Sequence, residues 1–149
     1  MLKGISPLLN ADVLFALRAM GHGDDLVIVD TNFPAESIAR QTSLGRLLRI
    51  DNVSAAEAAA AVLSVYPLDT FVDDAAARME VVGKPDEIMP VQEEVQRVVS
   101  AAEGRHWPLV GIERYAFYER AKQAFCVIQT GERRFYGCFA FRKGVIPPD

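Results

Sequence analysis

The chain has 149 residues, 50% of them hydrophobic and 24% charged, and a formal net charge of -4. This balance is typical of one folded domain with a real core. An acidic chain with scattered Lys and Arg lacks the clustered positive charge that nucleic-acid binding requires. Its longest apolar runs are also far shorter than the ~20 residues that span a bilayer.

Local composition also disfavours a secreted protein and a protein with a disulfide or a cysteine-bound metal. The segment Met1–Pro7 contains one Lys and no apolar core of signal-peptide length, so the chain is expected to stay in the cytosol. Cys126 and Cys138 lie twelve positions apart without a CxxC spacing. They are therefore predicted to be reduced core residues, and neither a disulfide nor a metal site is expected.

Helical patterns recur along the chain. Ser54 and Glu57 have the spacing of a capping box at the start of an alanine-rich helix, and Pro67 stops that helix. Three further helices, each with apolar residues on one face, are predicted over 11–20 with Asn10 as N-cap, over 91–102 before Gly104, and over 115–124.

Strand patterns alternate with these helices. Leu26–Val29 is a continuous, mostly β-branched apolar run, which is typical of a strand buried on both faces. Other strands are predicted over 47–50, 78–82, 109–112, 125–129 and 135–141, the last two forming a C-terminal antiparallel hairpin around 130–132. This order predicts an α/β protein: a three-layer α/β/α sandwich with a largely parallel sheet, in a single domain spanning residues 1–149.

Ligands of such folds bind at the carboxyl ends of strands, where Asp30 follows the first strand. A carboxylate there must accept hydrogen bonds, either from ligand hydroxyls or, alternatively, from the backbone of an Asx-turn or of a cap for the segment at Pro34. His22 lies between two glycines at a helix exit. An imidazole titrates near pH ~6.5 and can transfer protons, although a histidine there can also simply cap the helix.

Polar and aromatic residues concentrate near the C-terminus. Arg114 and Tyr118 share one helix face, where they can bind vicinal hydroxyls or belong to an ordinary amphipathic helix. Gly137 inside the final strand predicts a close ligand approach or a β-bulge. From its position in the sequence alone, Asp69 is interpreted as an exposed loop carboxylate, and Met79 is interpreted as a core residue. No nucleotide, catalytic-triad or zincin motif occurs, so this inventory favours proton transfer on a neutral polar substrate.

Several blocks resemble the D-ribose pyranase and L-fucose mutarotase family, in the right order over nearly the whole chain. The most specific are Met20-Gly21-His22-Gly23-Asp24, Asp30-Thr31-Asn32-Phe33-Pro34, Tyr66-Pro67-Leu68-Asp69-Thr70-Phe71, Glu113-Arg114-Tyr115-Ala116-Phe117-Tyr118-Glu119-Arg120-Ala121 and Tyr136-Gly137. The run from Phe117 to Ala121 indicates the fucose branch. The resemblance implies a cofactor-independent isomerase that interconverts L-fucose anomers, and homo-oligomers that are rings of ten in bacterial members.

The resemblance also implies roles for individual residues. His22 matches the proton donor. The sugar-binding positions match Asp30, Arg114 and the segment Tyr136-Gly137-Cys138, and further site positions of the fucose branch match Asp69, Met79 and Tyr118. The sequence departs from the family at Cys138, where Asn is usual and where a thiol is a poorer hydrogen-bond partner. It also diverges over residues 45–53.

The resulting hypothesis is ring opening and closure by general acid and base, with His22 as one group and Asp69 or Tyr118 as its counterpart. An extended segment from Asp24 to Asp30 spans ~20 Å. His22 and Asp30 therefore reach one sugar only if the segment Gly21–Gly23 folds back or if two subunits build each site. The alternatives are a pyranase or mutarotase for D-ribose or another aldose, and a sugar-binding oligomer without turnover.

Overall fold

Five helices and six strands alternate in the computed structural model, which describes all residues from 1 to 149. The helices are α1 (Ala11–Ala19), α2 (Ala35–Ala39), α3 (Ala55–Leu63), α4 (Pro90–Glu103) and α5 (Arg114–Gln123). The strands are β1 (Asp25–Val29), β2 (Leu48–Ile50), β3 (Ala76–Met79), β4 (Val110–Ile112), β5 (Cys126–Thr130) and β6 (Phe139–Arg142). Helix α2 was not predicted, because five residues are too few to display a helical period.

The strands form one mixed sheet in the order β2-β5-β1-β6-β3-β4. The pairs β1/β5, β2/β5 and β3/β4 are parallel, whereas β6 is antiparallel to both β1 and β3. Five strands therefore run in one direction and β6 runs against them, so the predicted, largely parallel sheet is confirmed.

The predicted C-terminal hairpin is wrong, because β5 and β6 lie on opposite sides of β1. The sequence between them is long enough to pass over the end of β1. Phe139, Ala140 and Phe141 are also completely buried. A strand with apolar residues on both faces is stabilised by a central position, where both faces are covered, rather than by an edge.

Two apolar clusters fill the two sides of the sheet. On β1, Leu26 and Ile28 pack into the cluster that contains residues of α1, α3 and α4. Val27 and Val29 alternate with them and pack into the cluster of α2 and α5. This alternation produces the predicted three layers. None of the helices is both long and apolar enough to cross a bilayer.

Three helix ends follow the predicted capping signals, whereas α3 ends at Leu63, before the predicted stop at Pro67. The Asn10 side chain accepts a hydrogen bond from the Val13 N–H, and Ser54 and Glu57 form the reciprocal capping box. Gly104 ends α4 in the left-handed conformation with φ of 67°. These local contacts fix where α1 and α3 start and where α4 ends.

The predicted site residues lie near two opposite edges of the sheet. The carboxyl edge is the one at which β1 ends and is followed by Asp30, and the amino edge is the one at which β1 starts at Asp25. Because β6 runs antiparallel to β1, Arg142 at the end of β6 pairs with Asp25 at the amino edge. At ~3.3 Å per residue, the two edges lie ~17 Å apart along β1.

Candidate functional site

A cavity of about 210 Å³ opens at the carboxyl edge. It is smaller than the ~300–1,000 Å³ pockets that bind drug-sized ligands, so it suits a small molecule. Its lining residues are Asp30, Asn32, Phe33, Met79, Arg114, Tyr118, Phe135, Tyr136 and Cys138. The cavity thus brings together every predicted sugar-binding residue except Gly137, which lies directly behind it, and one predicted catalytic residue, Tyr118.

The carboxylate of Asp30 organises this cavity. One oxygen accepts hydrogen bonds from the backbone N–H groups of Asn32 (2.9 Å) and Phe33 (3.1 Å), so the Asx-turn interpretation is correct. The other oxygen accepts from the Gly137 N–H at 3.1 Å. The residue is only 3% exposed. Asp30 therefore joins the end of β1 to the loop before β6, while it still lines the cavity.

Residues Tyr136, Gly137 and Cys138 lie in the loop before β6, not within the strand as predicted. A Cβ atom at Gly137 would lie 2.7 Å from Glu132 Cγ and 3.3 Å from Asp30 Cβ. The glycine therefore marks a close approach of the backbone to the side chains of Glu132 and Asp30, as its position in the sequence suggested. Tyr136 has a φ of 62°, a left-handed conformation that a non-glycine residue adopts only where its surroundings enforce it.

The Cys138 thiol faces Asp30. Its sulfur lies 3.5 Å from the Asp30 carboxylate oxygen that also accepts from Gly137. Burial raises the pKa of the Cys138 thiol well above its usual range, and the charge of Asp30 adds to this effect. The thiol is therefore protonated at neutral pH and acts as a weak donor to the carboxylate.

Arg114 and Tyr118 form one wall of the cavity from the first turns of α5. The Arg114 Nε donates to the Tyr118 hydroxyl at 3.0 Å. The pKa of Arg114 is raised, chiefly by this hydrogen bond. The Tyr118 ring packs edge-on against Phe33, with ring centroids 5.3 Å apart. The phenol is thereby fixed in place, with its own O–H free to donate towards the cavity.

Gln92 supports the cavity from behind and was missed by the sequence analysis. Its side-chain amide donates to the carbonyl oxygens of Met79 (2.8 Å) and Tyr136 (3.3 Å), and the residue is 1% exposed. A glutamine in the first turn of α4 also completes a capping contact with Met89. Nothing in the sequence distinguishes such a capping residue from one that holds two parts of a binding site.

A second polar group, His22 with Asp69, lies at the amino edge. The imidazole Nε2 is 3.2 Å from the Asp69 carboxylate, and its side chain is 45% exposed. Asp69 was interpreted from its position alone as an exposed loop carboxylate, which is wrong, because it is 3% exposed. Its other oxygen accepts from the Phe71 N–H at 3.0 Å. The pairing of the two residues is encoded by no local pattern.

The protonation of this pair follows from its contacts. The pKa of Asp69 is held below its usual range, chiefly by the hydrogen bond from the Phe71 N–H and also by His22. Because the carboxylate is ionised at neutral pH, the network assigns the proton of a neutral imidazole to Nε2. Nδ1 is then available to a group outside the chain.

The two groups do not meet within one chain. The segment Gly21–Gly23 does not fold back, since the Gly23 N–H donates to the Lys143 carbonyl at 2.9 Å beyond the end of β6. His22 therefore stays at the amino edge, about 17 Å or more from Asp30 at the other end of β1. One copy cannot apply both residues to a single monosaccharide. No group of three or more His, Cys, Asp or Glu side chains is placed to hold a metal ion.

Glu132 behind the cavity predicts an acid-sensitive contribution to folding. It is 4% exposed, and its hydrogen bonds with Arg134 are the main cause that lowers its pKa to about 2, against 4.5 for an unstructured chain. The stabilisation is therefore complete above about pH 4.5 and is lost as the pH falls towards 2. At about 1.4 kcal/mol per pKa unit, this stabilisation amounts to about 3 kcal/mol.

Urea unfolding at several pH values tests the contribution of Glu132. Glu132→Gln should remove this part of the pH dependence of the unfolding free energy, and an unchanged pH profile contradicts the prediction.

Comparison with known proteins agrees with this geometry. Residues 3–146 match the model of the RbsD / FucU transport protein family. The fucose mutarotase of Bos taurus is 43% identical over 150 residues, covering 99% of this chain and 95% of the bovine protein.

Two solved structures superimpose closely. FucU from Bifidobacterium longum has a TM-score of 0.88 at 40% identity, covering 97% of this chain and 100% of that one. The fucose mutarotase from Streptococcus pneumoniae in complex with L-fucose has a TM-score of 0.87 at 32% identity, covering 98% and 100%. The family model, the full-length identities and the superpositions lead to one conclusion: the chain belongs to the RbsD/FucU family.

Proposed function

We propose that this protein is an L-fucose mutarotase, which interconverts the α and β anomers of L-fucose without a cofactor. The observation that carries the proposal is the convergence of Asp30, Arg114 and Tyr118 on one small cavity at the carboxyl edge. The proposal is supported by the relatives named fucose mutarotase and by the neighbouring structure that contains L-fucose.

The cavity has complementary surfaces for such a sugar. Asp30 offers carboxylate oxygens as acceptors, and Arg114 offers guanidinium donors that can bind two adjacent hydroxyls. Phe33, Met79 and Phe135 supply an apolar wall. L-fucose is a 6-deoxy sugar, so its methyl group suits an apolar contact of this kind, whereas a free hydroxyl at that place would lose its hydrogen bonds.

The proposed reaction needs only proton transfer. An acid protonates the ring oxygen while a base removes the proton of the anomeric hydroxyl, and the bond between C1 and the ring oxygen breaks to give the open aldehyde. Rotation about C1–C2 presents the other carbonyl face, and the reverse steps close the ring. Each positioned acid or base contributes roughly 10²–10⁴-fold, so two groups suffice.

We assign His22 as one acid/base and Tyr118 as its counterpart. Asp69 is assigned a positioning role, because it is buried and both its oxygens are engaged, by Phe71 and by His22. An ionised carboxylate on Nε2 orients the imidazole and determines which ring nitrogen faces outward, which is how such a pair positions a proton-transfer group. Tyr118 already lies in the cavity with its phenol held by Arg114.

The separation of the two groups requires a second copy. We propose a homo-oligomer in which the amino edge of one copy contacts the cavity of the next, so that its His22 reaches the sugar bound there. Exposed aromatic rings lie beside both groups: Phe71 is 71% exposed next to His22, and Phe135 is 68% exposed at the cavity. A contact between two different surfaces forms a ring when the rotation between copies closes, in keeping with the homodecamer that the family resemblance implies.

Anomer-exchange NMR with L-fucose and D-ribose side by side tests the proposal. We expect exchange of L-fucose to be accelerated more strongly than that of D-ribose. Faster exchange of D-ribose would instead favour a pyranase, and binding of either sugar without exchange would favour a sugar-binding oligomer. If neither sugar binds in calorimetry, the proposed function is wrong.

A further inference from the structure

Lys143, directly after β6, contacts the chain on both sides of His22. Its ammonium group donates to the carbonyl oxygens of Leu17 (2.7 Å) and Met20 (2.6 Å), which end α1 just before Gly21. Its own carbonyl oxygen accepts from the Gly23 N–H at 2.9 Å. The imidazole is therefore carried by a short segment that one residue anchors at both ends.

The same stretch of chain also fixes Asp69. Lys143 forms an antiparallel bridge with Leu68, and the Asp69 N–H donates to the Arg142 carbonyl at 3.0 Å. The next residue must be glycine for this approach, because a Cβ atom on Gly144 would collide with the Leu68 carbonyl oxygen. The main chain at Lys143 thus ties the Asp69 segment to the His22 segment.

The ammonium group has no carboxylate partner within ion-pair distance among the salt bridges of the structure. Burial lowers the pKa of Lys143, and the nearby Arg18 adds to this effect. Moving a lysine ammonium group out of water without a counter-ion costs free energy. A lysine that stayed in water could also interact favourably with the C-terminal end of α1, so burial is not needed for that interaction. The carbonyls of Leu17 and Met20 are therefore the contacts that hold the side chain in place.

We propose that Lys143 is a positioning residue that orients His22 relative to Asp69, and so sets the direction in which the imidazole points outward from the amino edge. The inference rests on the proposed function for its kinetic consequence. Its structural consequence, a defined setting of the His22 imidazole, holds whatever reaction the site performs.

Lys143→Met tests this role, since the thioether chain keeps the packing of the stem and removes the three donors. We expect the rate constant kcat for L-fucose exchange to fall about 10–100-fold, because small displacements of a catalytic group have effects of this size. KM should change by less than about twofold, because the sugar binds at the opposite edge. Lys143→Arg, which keeps a donor and the charge, should recover part of the loss.

A spectroscopic readout separates this proposal from the proposed function. The chain has two histidines, so ¹⁵N-imidazole spectra of the wild type and Lys143→Met report on His22, with His106 as internal reference. We expect the His22 signals to shift away from the Nε2-protonated form and those of His106 to stay unchanged. This result is independent of whether the wild type exchanges any sugar.

Asn10→Ala is the matched control, because it removes the cap at the other end of α1. It should lower Tm but leave the His22 signals and kcat unchanged. If Lys143→Met does not fold, Lys143→Leu provides the same comparison, because leucine also lacks a donor. The proposal is overturned if the folded Lys143 variant keeps wild-type His22 signals, or if its loss of kcat equals that of Asn10→Ala at equal loss of Tm.

Discussion

Replacing His22 with alanine is expected to reduce L-fucose anomer exchange by at least about 100-fold, since a positioned acid or base contributes roughly 10²–10⁴-fold. Binding should persist, because the cavity lining at the carboxyl edge does not include the chain's own His22. Saturation-transfer NMR measures the exchange and calorimetry measures the binding. A low rate with retained affinity is the result we expect.

His106→Ala is the control for this experiment, because it removes the other imidazole from an exposed loop. It should leave both exchange and binding unchanged. Wild-type exchange by His22→Ala would remove His22 from the mechanism. Loss of binding together with exchange would show that His22 holds the sugar rather than transfers a proton.

Assemblies that contain two different variants are expected to show the second large effect, a recovery of activity. His22→Ala disables the group at the amino edge, and Tyr118→Phe removes only the hydroxyl in the cavity, so each pure variant should be nearly inactive. When the two are co-assembled in equal amounts, about a quarter of the sites should combine an intact His22 from one copy with an intact Tyr118 from another. Activity should therefore reappear on mixing, measured by anomer-exchange NMR.

The matched control is the double variant co-assembled with wild-type chains. Sites shared between copies would retain about a quarter of full activity in that mixture, whereas sites contained in one chain would retain about half. Mass spectrometry of differently labelled chains confirms that mixed assemblies formed. If such assemblies show no activity when the two single variants are combined, each site is not shared between copies in the way we propose.

The sequence predicted those parts of the fold that depend on local contacts. The capping box at Ser54 and the apolar run of β1 involve neighbouring residues, and both occur as expected. The pairing of β6 depends on long-range packing of its two apolar faces, so the local pattern suggested the wrong neighbour. Gly137 was placed inside a strand, although the close approach that it signals does occur, in the loop next to Asp30.

The residues of the candidate site likewise fall into those that the local sequence indicates and those that only the tertiary fold brings together. Asp30, Arg114 and Tyr118 could be proposed from position and chemistry, because a strand end and a helix face are visible in the sequence. The partnership of His22 with Asp69 joins residues 47 positions apart. Gln92 is similar, since its two acceptors, at Met79 and Tyr136, are brought to it only by the tertiary fold.

The central position of β6 has a consequence for how the molecule forms. Without β6 the sheet consists of two separate parts, β2-β5-β1 and β3-β4, which no strand connects. Residues just before β6 complete the cavity, and Arg142 and Lys143 at its end hold the segments of Asp69 and His22. Because this strand is the sixth in chain order, its pairing with β1 and β3 closes long loops, a step that slows folding. Neither the cavity nor the anchoring of the His22 and Asp69 segments can therefore be complete before this strand inserts.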